Sequence, residues 1–152
     1  MTASIGTVDY TNVLNTVQQN VYQILTNDST VTTSSTYGTV NIMDGMPAMF
    51  WRNKGFPYIL VRTPSIEEER ITQTRFRATT RVPIEIYSRK ESTVRQLADA
   101  VRTALYNYRH TTAATGKMCL YRVASGSMDH FFLNGDSSKP VWLYRMEVEY
   151  VA

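Results

Sequence analysis

One cysteine, Cys119, occurs in 152 residues, which excludes an internal disulfide and any cysteine-cluster zinc site. Its neighbours Met118 and Leu120 predict a small buried hydrophobe on a strand and not a reactive thiol. Histidine is nearly as scarce, with two in the chain. His110 follows a predicted helix, and His130 falls in an expected irregular loop with only Asp129 beside it, which is no ligand spacing for zinc. None of the seven glycines sits in a Gly-rich loop opening a helix after a strand, so no phosphate or dinucleotide cradle is expected. Ser125-Gly126-Ser127 lacks the strand–elbow–helix setting of a nucleophile. Glu67, Glu68 and Glu69 have no apolar neighbours to split their pKa values, and read as a solvated run. No apolar stretch reaches the ~18 residues of a membrane-spanning helix. The opening MTASIGTVDY has no basic region followed by an apolar core, unlike a secretory signal. The expectation is a soluble, non-enzymatic chain that works in a reducing cytosol, with no catalytic residues, no metal and no cofactor.

What is present points to surfaces. The formal charge of +3 is too mild to specify a polyanionic partner. Ten tyrosines and seven methionines are residue types enriched where proteins meet proteins, although a core rich in aromatics would use them as well. The length suits a single α+β domain over residues 1–152, able to bury about 70% of its unfolded surface without staples.

The organising stretch runs from Arg81 to Tyr108. Val82, Ile84 and Ile86 alternate with Arg81, Glu85 and Tyr87 at the spacing of a half-buried strand. From Val94 the period changes, and Val94, Leu97, Ala98, Val101, Ala104, Leu105 and Tyr108 form one stripe on a helix. Ser92 is placed to cap its start. An earlier helix is expected over Asp9–Asn27, capped by Asp9 or Thr11. Its stripe is Tyr10, Val13, Leu14, Val17, Val21, Ile24 and Leu25, while Asn12, Gln18, Gln19 and Gln23 face out. That uncharged amide face would tolerate a neighbouring subunit, which makes Gln19 and Gln23 interface candidates.

Residues 28–38 read as a Ser/Thr loop or frayed strand. The cluster Met43, Met46, Met49, Phe50 and Trp51 either tucks under a sheet or forms a sticky contact. Beyond Gly55-Phe56-Pro57, a long β-hairpin is expected around 58–87. Its arms are Tyr58–Thr63 and Ile71–Tyr87, IEEER lies near a projecting tip, and Pro83 marks an edge or bulge. Arg70, Arg75, Arg77 and Arg81, with Phe76 among them, could grip phosphates. Glu67, Glu68 and Glu69 would repel the same phosphates, so mixed-charge contact between subunits is favoured for this whole set. Downstream, residues 118–128 read as a strand, the next segment as irregular, and VWLYRMEVEYV as a final strand. In that strand Trp142, Tyr144, Met146, Val148 and Tyr150 point one way, and Arg145, Glu147 and Glu149 the other. The class is therefore α+β: a mixed, mostly antiparallel sheet with a long hairpin, packed against two amphipathic helices.

This arrangement resembles the tail terminator or tail-completion (head–tail joining) proteins of tailed bacteriophages. The likeness rests on VLNTVQQNVYQIL, FPYILVR, TTRVPIEIYSR running into STVRQLADAVRTAL, and WLYRMEVEYV. It implies a structural virion protein of the tail or neck, assembled in the bacterial cytoplasm. Its partners would be itself, in a homo-hexameric ring, then the tail tube protein and the head–tail connector or stopper. DNA would pass through the lumen only as cargo, and no membrane is involved. The alternatives are another neck ring (stopper or adaptor) or a tail tube protein. From a different class, a small nucleic-acid-binding module would use the Arg70–Arg81 arm.

Overall fold

The computed structural model describes residues 13–44, 56–71, 73, 76–108, 119–132 and 140–151. Its elements run as α1 (Val13–Asn27), α2 (Ser29–Thr32), β1 (Thr33–Ser34), β2 (Gly38–Thr39), β3 (Asn41–Asp44) and β4 (Tyr58–Val61). They continue as β5 (Ser65–Arg70), β6 (Phe76–Ser88), α3 (Glu91–Asn107), β7 (Cys119–Phe132) and β8 (Pro140–Val151). Among the described residues β1 and β2 pair only with each other. The main sheet has the order β3-β4-β6-β8-β7, with β5 added to β6. The β3–β4 pairing is parallel and every other pairing antiparallel. The mixed, mostly antiparallel α+β class expected from the sequence is the one observed.

Period-2 alternation gives the sheet two unlike faces. Val82, Ile84 and Ile86 of β6, with Met146, Val148 and Tyr150 of β8, point to the helices and are buried. Val17, Val21, Ile24 and Leu25 of α1 meet them, as do Val94, Leu97, Val101 and Leu105 of α3. These recur at three- and four-residue steps, so each helix lays one stripe on the sheet. Each fully buried aliphatic side chain contributes about 1.5–3 kcal/mol, and Leu97→Ala, at the middle of the α3 stripe, would cost about 2–5 kcal/mol. Tyr58, Leu60, Tyr87, Val141 and Leu143 form a second, smaller buried cluster. Leu143 lies opposite Tyr87 and out of step with Met146, which places this cluster on the face away from the helices.

Several expectations need correction. α1 begins at Val13, so the proposed caps Asp9 and Thr11 fall outside the described residues. Leu14, expected in the core stripe, is an exposed large hydrophobe. Gln18, expected in solvent, is half-buried because its Nε2 donates to the Val61 carbonyl at 3.2 Å, tying α1 to β4. The 28–38 stretch is not a plain loop. Asp28 accepts from the Thr30 backbone N–H at 2.9 Å and caps α2. A turn then follows with Gly38 at φ +75°, in the left-handed region that glycine enters at no steric cost. Residues 41–44 form β3 alongside β4; a parallel pairing leaves no turn signal in the sequence, and it was missed. Residues 45–55, with most of the Met/Trp cluster, lie outside the described residues.

IEEER is not a tip. It lies within β5, the outer half of the first hairpin arm, paired rung by rung from Ser65↔Arg81 to Arg70↔Phe76. The inner half is β4, paired with β6 from Tyr58↔Tyr87 to Val61↔Ile84. Pro83 explains the break between them. Arg62 donates its N–H to the Pro83 carbonyl at 2.9 Å, and in a strand the N and C=O of one residue point to the same side. The proline's missing N–H therefore faces the gap at 62–64 and leaves the β8 ladder intact.

α3 starts one residue before Ser92, with Lys90 at the cap position making no side-chain cap bond. Glu91 supplies a carboxylate beside the positive helix end instead. Residues 129–132, expected to be irregular, continue β7 to Phe132, and the rest of that segment, 133–139, lies outside the described residues. His130 is thus a strand residue, its ring 5.0 Å from that of Trp142. Cys119 opens β7 as the strand reading required.

Candidate assembly surface

The face away from the helices carries charge where a second helical layer would need apolar residues. Antiparallel register brings opposite charges together on it: Arg81 lies across from Glu149, and Glu85 across from Arg145. Two carboxylates at the centre of this face are almost fully covered. Glu85 is 4% exposed and Glu149 3%. A carboxylate this buried needs counter-charges and donors, and each has two arginines. Arg62 Nη1 donates to Glu85 Oε1 at 2.6 Å, while Arg145 Nε and the Tyr87 hydroxyl both donate to Oε2 at 3.1 Å. Glu149 accepts from Arg122 Nε at 2.8 Å and from Arg81 Nε at 2.9 Å.

The electrostatic consequences follow. Arg122 and Arg81 hold the Glu149 carboxyl below the usual glutamate range. Hydrogen bonding to Glu85 raises Arg62, and hydrogen bonding to Glu149 raises Arg81. Burial, reinforced by the Glu85 charge, pushes the Tyr87 hydroxyl well up. The arginine side chains lie over the carboxylates and stay partly wet, Arg62 at 42% and Arg145 at 66% exposure. Between them open two shallow hollows. One, of about 490 Å³, is lined by residues including Arg62, Thr63, Glu85, Ser127 and Arg145. The other, of about 560 Å³, is lined by residues including Glu67, Glu68, Glu69, Arg81, Arg122 and Glu149. Among the described residues its lining holds four glutamates and two arginines, a balance of the wrong sign for gripping phosphate.

The structure distributes the interface candidates as follows. Glu67, Glu68 and Glu69 are exposed along β5, and Glu67 pairs with Arg81 at 3.3 Å. Arg70, also exposed, donates to the Gln73 carbonyl. Arg81 is committed within the subunit to Glu149, Glu147 and Glu67. Phe76 and Arg77 lie on β6, but their side chains, and Arg75 altogether, are outside the described residues. Gln19 is exposed and donates to Asn15 of its own helix. Gln23, expected to face out, is half-buried, and its Oε1 has no hydrogen-bond partner among the described residues. α1 packs against the hairpin strands, with Gln18 reaching the Val61 carbonyl. Sequence reasoning missed Arg62, Glu85, Arg122, Arg145 and Glu149 as a unit. The signal was present in Arg81/Glu85 and Arg145/Glu149, opposite charges four apart on two strands, but only the pairing register joins them.

Among the described residues no group of three or more His, Cys, Asp and Glu side chains could hold a metal ion. No described helix is long and apolar enough to cross a membrane.

The family model of tail completion protein gp17 matches residues 19–120, two thirds of the chain. The chain belongs to this family and is a structural protein of the bacteriophage tail, hence a component of the virion. The match ends where β7 begins, so β8, at the heart of the sheet, lies beyond it. No curated protein matches the chain.

Proposed function

We propose that the chain forms a ring that caps the tail tube and joins it to the head connector. Membership of a tail completion family carries this reading, because completing a tail means ending tube growth and presenting a joint. The shape supports it. The β8 ladder along β6 ends at Thr79↔Val151, yet β5 and β6 remain paired through Glu68↔Ala78, Glu69↔Arg77 and Arg70↔Phe76. Among the described residues the hairpin therefore stays paired for three rungs past the last β6–β8 rung, as an arm reaching a subunit or a partner would. A ring that differs above and below needs two unlike surfaces per subunit. The helix layer and the salt-bridged sheet face are unlike in that sense. Its partners are other copies of itself in a hexamer, tail tube protein below and connector or stopper protein above, with DNA as cargo in the lumen. The neck is its place in the virion, reached after assembly in the bacterial cytoplasm.

Light scattering on the purified protein, alone and with tail tube protein, at two salt levels, tests this. A discrete species of about six subunits, alone or on addition of tube protein, is the expected result, since closed rings have fixed stoichiometry. A salt-insensitive monomer that ignores tube protein and shifts on DNA would overturn it.

A further inference from the structure

The ladder β5-β6-β8-β7 ends in two strands that, among the described residues, pair on one side only. An edge strand presents a row of backbone donors and acceptors, and proteins that stay monomeric blunt such edges with lysine, proline or bulges. β7 is blunted in its first part alone, where its register with β8 slips between Leu120 and Arg122 and between Val123 and Ser125. From Ser125 to Phe132 the pairing with β8 is regular, and the stretch SGSMDHFF holds no lysine, arginine or proline. Its last residue, Phe132, is 50% exposed. β5 at the opposite end carries Glu67, Glu68 and Glu69, which deter indiscriminate pairing and favour a partner with matched charge.

Strand direction decides what these edges can meet. β5 is antiparallel to β6, β6 to β8, and β8 to β7, so β5 and β7 run in opposite directions. In a head-to-tail ring each copy repeats the same orientation. β7 of one copy would then meet β5 of the next antiparallel, continuing the alternation of the sheet.

We propose that β7 of one copy pairs with β5 of a second copy, joining neighbouring subunits through one continuous sheet. This rests on the ring reading above and supplies its joint. Face and charge select the register. Ser65, Glu67 and Glu69 share the salt-bridged face with Ser125, Ser127 and Asp129, because their rungs lie at even spacing from Arg81 and Arg145. Of the face-matched registers, the one that uses all of β5 and sets neither acid against Asp129 nor arginine against arginine puts the partner's Ser65 across from Asp129. The partner's Ile66 then meets Met128, and the partner's Glu67 meets Ser127. Ser127 lies beside Arg145, whose side chain is 66% exposed, so the carboxylate arrives next to a guanidinium.

The test is a paired-cysteine variant, Glu67→Cys with Ser127→Cys in a Cys119→Ser background, oxidised after assembly. Both positions are exposed, and the exposed Glu67–Arg81 pair that is lost contributes little. Facing Cβ atoms in antiparallel strands lie ~4.5–5.5 Å apart, within reach of a disulfide after small adjustment. A ladder of covalent multimers from the double variant, ending at the ring size, with neither single variant cross-linking, is the expected outcome. A ring seen by light scattering without that ladder overturns the β5–β7 joint and leaves the ring reading standing. Dimers from Ser127→Cys alone would show β7 pairing with itself and overturn the joint too. Absence of any ring, with or without tube protein, overturns both.

Discussion

Replacing Glu85 with glutamine keeps the side chain's shape and removes the charge that two arginines and a tyrosine converge on. The cost follows from the geometry. In the wild type, Arg62 and Arg145 each donate to the carboxylate, and Tyr87 donates to Oε2. Hydrogen bonds to a charged group are each worth about 1.5–3 kcal/mol, against about 0.5–1.5 for neutral ones. The amide keeps one oxygen for Tyr87 or for one arginine, and turns its NH2 toward the other donor. Both arginines are more than a third exposed and can turn to water, so only part of the buried-pair penalty applies. The net expectation for Glu85→Gln is a loss of about 2 kcal/mol. Glu85→Ala also removes the acceptor of the buried Tyr87 hydroxyl, and should lose about 3 kcal/mol. Urea unfolding of protein held below its assembly concentration measures this as a lower midpoint with unchanged slope. A double-mutant cycle with Arg62→Met should show coupling of about 1 kcal/mol or more. If Glu85→Gln unfolds within about 0.5 kcal/mol of wild type, the carboxylate is not held as described and the reasoning fails.

Glu149, whose folded pKa is depressed by Arg122 and Arg81, contributes stability that is present above the ordinary glutamate pKa of 4.5 and lost as pH falls through its folded value. Acid titration of wild type against Glu149→Gln should therefore show a limb below about pH 4.5 that is weaker in the variant. Tyr150, raised by burial alone, and Tyr87 behave with the opposite sign: their contribution is intact below 10.0 and falls away as pH rises toward their folded values. Tyr150→Phe should flatten the alkaline limb, read by far-UV circular dichroism from pH 9 to 12. At Gly126 a Cβ would stand 1.8 Å from the Tyr144 hydroxyl, because the ring folds over the bare backbone of the neighbouring strand. Gly126→Ala should cost about 1–3 kcal/mol by overpacking, and combined with Tyr144→Ala it should lower the thermal midpoint by less than the two single losses added.

Periodicity made the two main helices, β6 and β8 legible, because in each a single spacing persists long enough to define a face. Val94 to Leu105 hold the 3.6-residue stripe, and Trp142 to Tyr150 hold the period of two. Elements that take their identity from a distant partner were not legible. β3 has four residues and exists because β4 lies beside it, which no local signal announces. IEEER reads as a charged run near the hairpin tip, and only the pairing with β6 shows that its glutamates belong to a strand. Pro83 was rightly suspicious, but the gap it required was in the opposing arm. The open face was half legible. Its residues were assigned to the correct side of β8, yet which arginine serves which carboxylate depends on register. Arg62 and Arg122 come from outside the strands that carried the pattern.

Tail tubes assembled from tube protein in the presence and absence of this chain, imaged by negative-stain electron microscopy, test the central claim most directly. The ring reading predicts tubes that stop growing when the chain is added and carry one extra disc at one end only. Tubes that lengthen without limit beside unbound chain, or that carry it equally at both ends, would contradict it.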